Sequence, residues 1–184
     1  MIDIKAATRR EFTFPAPAPI ALDFFSSFRR ITQFLPHISL VREFGDGRYR
    51  LLYSTVELAT YQVNIFADVA TQVDELTQII TVTPATDIPP VKSKSGFRSL
   101  TSAGSYSSRS TFQPVNESEC AVEYVLELQA NLPQPSGLRF VPSHFLNGIA
   151  DAITHRRMEE IIDGFIAKSI IAYSQWQEGV ELHR

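Results

Sequence analysis

The residues of this chain that could do chemistry are few. They are four histidines, one cysteine, a serine-rich stretch and a glutamate at the end of an alternating segment. His144 and His155 fall on one predicted helix, about 16 Å apart along its axis, whereas a metal needs each ligand within about 2 Å. His155 belongs with Arg156 and Arg157 to a charged patch that reads as solvated, and His183 lies in a predicted frayed tail. There is no His-Glu-x-x-His, no cysteine pair and no glycine-rich phosphate loop. The serines between 93 and 110 include no Gly-x-Ser-x-Gly, so a hydrolase elbow is not supported. Cys120 shares a strand face with Val122, Tyr124 and Leu126 and reads as a small buried hydrophobe rather than a nucleophile. Glu57 shares parity with Tyr49, Leu51 and Tyr53. On the inner side it could act as a base or orient a ligand; the commoner fate of a strand-end glutamate is to point to water. These residues predict no catalytic group, no metal and no cofactor.

The larger signal is aromatic: thirteen Phe, six Tyr and one Trp. Most must fill a core, but a subset could line a hollow, where a buried phenol offers a ligand a hydrogen bond. The net charge of −3 argues against nucleic acid as a partner. Arg29–Arg30 and Arg156–Arg157 read as solvated faces that could also seat an acidic partner or anionic headgroups. With one cysteine no intrachain disulfide can form, residues 1–10 do not read as a signal peptide, and no apolar run approaches the ~20 residues of a membrane span. The expectation is a soluble, cytoplasmic protein that can touch a membrane or a protein partner at its surface.

The elements that must position these residues follow from periodicity. Strands are predicted at 9–14, 40–44, 48–57, 61–69, 76–83, 97–112 and 119–130, with the sixth bent or bulged near Gly104. The cleanest is the fourth, where Tyr61, Val63, Ile65, Ala67 and Val69 alternate with Gln62, Asn64, Phe66 and Asp68. Clean alternation predicts an antiparallel meander with one packed face. Two short helices, 20–28 and 29–35, separate the first two strands. The proline-rich stretch 84–96 is predicted to be a mobile lid outside the sheet. A helix of roughly 35 residues spans 142–177. Its apolar residues fall on two nearly opposite sides, so it bends near 154–157 or is contacted twice. A curved sheet around one long helix leaves a hollow between them.

This order resembles the START-like or Bet v 1-like helix-grip superfamily of polyketide cyclases, lipid-transfer domains and quinone-binding proteins, across nearly the whole chain. Pro142-Ser143-His144-Phe145-Leu146, Tyr173-Ser174-Gln175-Trp176 and the run Leu126-Glu127-Leu128-Gln129-Ala130-Asn131-Leu132-Pro133 resemble a branch found mainly in cyanobacteria and plastid-bearing plants. The resemblance implies an α+β helix-grip fold in one domain, 1–184, with flexible tails at about 1–8 and 178–184. It also implies a cavity for a hydrophobic small molecule such as a lipid, quinone, carotenoid or tetrapyrrole. The expected lining is Phe24 and Phe28 from the short helices, Tyr49, Tyr53, Tyr61, Val63, Tyr124 and Leu126 from the sheet, and Ile161 and Phe165 from the long helix. The hollow should open between the short helices, the 84–96 loop and the long helix, with a volume of about 300 Å³ or more. The alternatives are an interaction or assembly factor with a filled cavity, and an enzyme of cyclase or hydratase type.

Overall fold

Strand β1 (Ile2–Phe14) alternates Ile2, Ile4, Ala6, Phe12 and Phe14 inward against charged residues outward, and pairs along its whole length with β8 (Cys120–Leu132). The computed structural model describes residues 1–181 apart from 59, 135 and 139; His183 lies outside the described residues. The stretch 1–8, expected as a flexible tail, is therefore strand from Ile2 onward: Ile2 faces Leu132 across the ladder. Between β1 and the hairpin of β2 (Ile38–Gly45) and β3 (Arg48–Glu57) come two short helices, α1 (Ala18–Ser26) and α2 (Phe28–Thr32). Strands β4 (Tyr61–Asp74), β5 (Ile79–Pro84), β6 (Lys94–Ser95), β7 (Ser99–Pro114) and β8 follow, then α3 (Ser143–Glu181). This is an α+β helix-grip fold, an open and mainly antiparallel sheet with a long C-terminal helix. The sheet order is β1-β8-β7-β5-β4-β3-β2.

The sheet is not a simple meander. β5 is short, and where it leaves the sheet after Pro84, β7 closes directly onto β4 in a parallel pairing, Gln62 to Ser99 through Ala67 to Gly104. At Gly104 a Cβ would lie 2.7 Å from Ile65 Cγ2 and 3.1 Å from the Gln129 carbonyl oxygen, so a side chain cannot fit where the strands converge. The expected bulge at Gly104 is absent on the β8 side, where pairing runs unbroken from Gly104–Ala130 to Pro114–Cys120.

The 84–96 stretch is pinned rather than free. The Ala85 N–H donates to the Asp68 carbonyl, Asp87 pairs with Arg48, Ile88 is buried, Arg50 donates to the Pro89 carbonyl, and Lys94–Ser95 joins β7 as β6.

Helix α3 is continuous through 154–157, and the expected tail from 178 is helical to Glu181. Its two apolar groups reflect contact on two sides. At 100° per residue, Leu146, Ala150, Ile153 and Arg157 centre about 135° away from Ile162, Phe165, Ser169 and Tyr173. The inward line thus rotates along the helix as it crosses a twisted sheet.

Candidate functional site

The core changes character along α3. At one end α1 and the turn after α2 push Phe24, Phe25 and Phe34 between helix and sheet. Phe24 stacks on Phe14 at 5.6 Å and on Phe34 at 6.0 Å and meets Tyr173 edge-on at 5.4 Å. Phe165 lies 5.3 Å from Tyr124 and 5.8 Å from Phe25. The Arg30 guanidinium covers this plug, 5.3 Å from the Phe24 ring and 5.4 Å from Trp176.

At the other end no insert enters. A cavity of about 170 Å³ remains, neither sealed nor a flat groove. Its walls are aliphatic: Ile2 and Ile4 from β1, Leu51 from β3, Val63, Ile65 and Ala67 from β4, Leu100 from β7, Leu128, Ala130 and Leu132 from β8, and Leu146, Ile149, Ala150, Ile153 and Met158 from α3. Leu58, in the β3–β4 turn, both lines the cavity and is exposed, which places the mouth there.

Four of the ten residues expected to line the cavity do so: Tyr53, Tyr61, Val63 and Ile161. Phe24 and Phe165 belong instead to the filled aromatic end, and Phe28, Tyr124 and Leu126 to a packed central cluster, against which Tyr49 rests with its ring 4.6 Å from Phe28. The Tyr124 hydroxyl is satisfied internally, 2.8 Å from that of Tyr106, which donates to Ser108 Oγ at 3.2 Å. Burial pushes both phenols above the ordinary tyrosine value, so both stay protonated. The mouth is also elsewhere than expected: no residue of α1, α2 or the 84–96 loop lines the cavity, and the exposed lining residue is Leu58.

The charged residues of the wall are Glu57 and Arg157. Glu57 does not point to water: it is 6% exposed. Its Oε1 accepts from Arg157 Nε at 2.8 Å and from Thr55 Oγ1 at 3.1 Å, and its Oε2 lies 3.6 Å from Arg156 Nη2. Arg157, expected in a solvated patch, is largely buried and reaches on to Glu160, donating from Nη1 at 2.6 Å. His37 Nε2–H donates to the other Glu160 oxygen at 2.9 Å. Hydrogen bonds from His37 and Arg157 hold the Glu160 carboxyl below its ordinary value. The two carboxylates raise the Arg157 guanidinium further above its already high value. Burial, reinforced by the nearby Glu57 charge, pushes Tyr53 up to about 12. The wall therefore presents a fixed ion pair beside a neutral phenol.

Sequence reasoning missed this network because Glu57 and Arg157 are 100 residues apart. The one available signal was that Arg157 recurs at helical spacing with Leu146, Ala150 and Ile153. Among the described residues no three metal-ligating side chains converge. His144 and His155 are both exposed, and Cys120 is buried, its thiol pushed up to about 11 by that burial.

No family model matches the chain, and no curated protein matches it significantly. Solved structures do. The chain is similar to the Zhui aromatase/cyclase from Streptomyces sp. R1128, with TM-score 0.54 and 10% identity over 90% of this chain and 94% of that one. It is similar to a conserved protein from Geobacillus kaustophilus, with TM-score 0.55 and 8% identity over 92% and 96%. A START superfamily protein from Mycobacterium smegmatis matches over 88% and 97% at 14% identity with TM-score 0.45. At these identities the likeness concerns the fold alone.

Proposed function

We infer that this protein binds a hydrophobic small molecule, holding its apolar part in the cavity beneath the N-terminal half of α3. The observation that supports this is the aliphatic hollow itself, left open while the same sheet and helix are filled with aromatic rings further along. Its volume lies below the ~300–1,000 Å³ of drug-sized sites. A single chain or ring enters, and a larger lipid, quinone, carotenoid or tetrapyrrole places the remainder at the mouth. Tyr53, Tyr61 and the Glu57–Arg157 pair give a polar end of the ligand its hydrogen-bond partners; Val63 and Ile161 supply apolar wall. The photosynthetic setting implied by the sequence motifs would make a pigment or quinone the ligand. Native mass spectrometry of protein taken from its source cell identifies the molecule.

The test is a titration with a polarity-sensitive dye. Ala150→Trp places an indole in the hollow and should abolish the fluorescence increase while the variant still melts cooperatively. Equal dye binding by the variant sinks the proposal.

A cyclase- or hydratase-type enzyme is a second reading, favoured by one observation: a buried carboxylate, Glu57, on the cavity wall. Against it, Arg157 and Thr55 already occupy that carboxylate, which suits it to orienting a ligand better than to taking a proton. An assembly factor with a filled cavity has less support, because the hollow is open.

A further inference from the structure

We propose that the end of the molecule carrying the cavity mouth docks on an anionic lipid membrane. The idea goes beyond the cavity reading and does not depend on it.

Three connections meet at this end. Gln134 and Ser136 tie the connector after β8 to the β6–β7 turn, through Ser95 Oγ donating to the Gln134 carbonyl at 3.2 Å and Ser136 Oγ donating to the Gly96 carbonyl at 3.1 Å. The backbone at Gly137 sits against the Phe97 ring and the Tyr61 hydroxyl, and so against the β3–β4 turn that carries Leu58. On this rim Phe140 is 100% exposed and Phe97 69%, with Phe145 and Leu58 also exposed. Large apolar side chains scattered singly are ordinary, but four on the segments that meet at the cavity end, one of them (Leu58) lining the cavity, mark an interaction surface. Leu58 reaches its place with φ of +49°, a backbone region a leucine rarely adopts.

Charge selects the occupant. Residues 88–116 and 128–150 contain no Asp or Glu, although the whole chain carries −3. They carry Lys92, Lys94 and Arg98 in and around the β6–β7 turn that bears Phe97, all three exposed and without a carboxylate partner among the described residues. Against them stand Asp3 and Asp151, while Glu57 is turned inward onto Arg157. Aromatic rings that can enter the acyl boundary, flanked by cations that meet anionic headgroups, fit a membrane surface. The mouth would then open toward the phase where apolar molecules are stored.

The experiment is co-sedimentation with phosphatidylcholine vesicles, with and without phosphatidylserine. Wild-type protein should pellet with the anionic vesicles, much less with neutral ones, and less as salt rises. Phe97→Ser with Phe140→Ser should weaken binding about 10-fold or more, from the lost transfer of two rings. Leu76→Ser removes a leucine that is 97% exposed in the β4–β5 turn, away from the mouth, and should leave binding unchanged. Failure of wild-type protein to bind anionic vesicles, or an equal loss in L76S, overturns the proposal. So does a dimer in sedimentation velocity that the double variant dissolves without any vesicle binding, since the patch would then cover a second copy. Ala150→Trp separates this from the cavity reading: it should keep vesicle binding while losing the dye.

Discussion

The two ends of α3 lie over one sheet and are built from different residues. At the C-terminal end, Phe165 and Tyr173 meet Phe14, Phe24, Phe25 and Phe112, and none of these six lines the aliphatic cavity. At the N-terminal end, Leu146, Ile149, Ala150 and Ile153 face Ile, Leu, Val and Ala across a gap. The strands supply inward residues to both ends, so alternation does not make the difference. The difference comes from the α1–α2 insert, which delivers its phenyl rings to one end only. The diverging surfaces of a twisted sheet and a rod-like helix leave space; a plug fills it at one end and a ligand is available to fill it at the other. The general lesson is that in such a fold aromatic content marks the packed region and aliphatic content marks the hollow.

The comparison is broken or upheld most directly by deletion. Phe165→Ala removes a ring packed on Tyr124 and Phe25 and should cost about 3–5 kcal/mol in urea unfolding. Ile153→Ala only enlarges an existing space and should cost under about 1.5 kcal/mol, because few close contacts are lost. Similar losses for the two variants would mean that the hollow end is packed as tightly as the other.

Insertion separates the two ends by a smaller effect. Ala21 is fully buried in the plug, and Ala21→Leu should cost about 1–3 kcal/mol through overpacking. Ala150→Leu adds the same atoms where the cavity already offers room, and leucine suits a helix. It should leave the midpoint unchanged or raise it. A loss at Ala150 matching that at Ala21 would show that the cavity is not available to side chains.

Much of this architecture was legible, because alternation reports which face of a strand is inward. Tyr61, Val63, Ile65 and Ala67 lie inward as their spacing indicates, and so do Cys120, Val122, Tyr124 and Leu126. Alternation says nothing about depth along the strand. Tyr49 and Tyr53 share a face, yet Tyr49 packs on Phe28 while Tyr53, four residues on, reaches the cavity. Treating aromatic rings as lining therefore misplaced Phe24, Phe28 and Phe165. The first half of β1 was missed although Ile2 and Ile4 alternate with Asp3 and Lys5, because two charges in seven residues resemble a tail. The parallel closure of β7 on β4 depends on where β5 ends, which local pattern does not encode. The Glu57–Arg157 pair depends on a contact between elements that only the fold brings together.

The smallest effect falls at the boundary between the two ends. Pro36 and His37, in the α2–β2 turn, press on α3 there. A Cβ at Gly164 would lie 2.5 Å from Pro36 Cγ, and His37, with φ of +62°, reaches Glu160. Glu160 links this turn to Arg157 and through it to Glu57 on the cavity wall. Because its partners hold the Glu160 carboxyl below the ordinary 4.5, its contribution to stability is present above that pH and is lost as pH falls through the lower, folded-state value. Glu160→Gln cannot titrate and lacks the contribution throughout. The variant should therefore be less stable than wild type at pH 7, by a modest amount because the side chain is 44% exposed. The gap between the two urea midpoints should close as the pH is taken well below 4.5. A gap that stays constant with pH would mean that Glu160 acts by packing rather than by charge, and that the ion-pair chain does not couple the plug to the hollow.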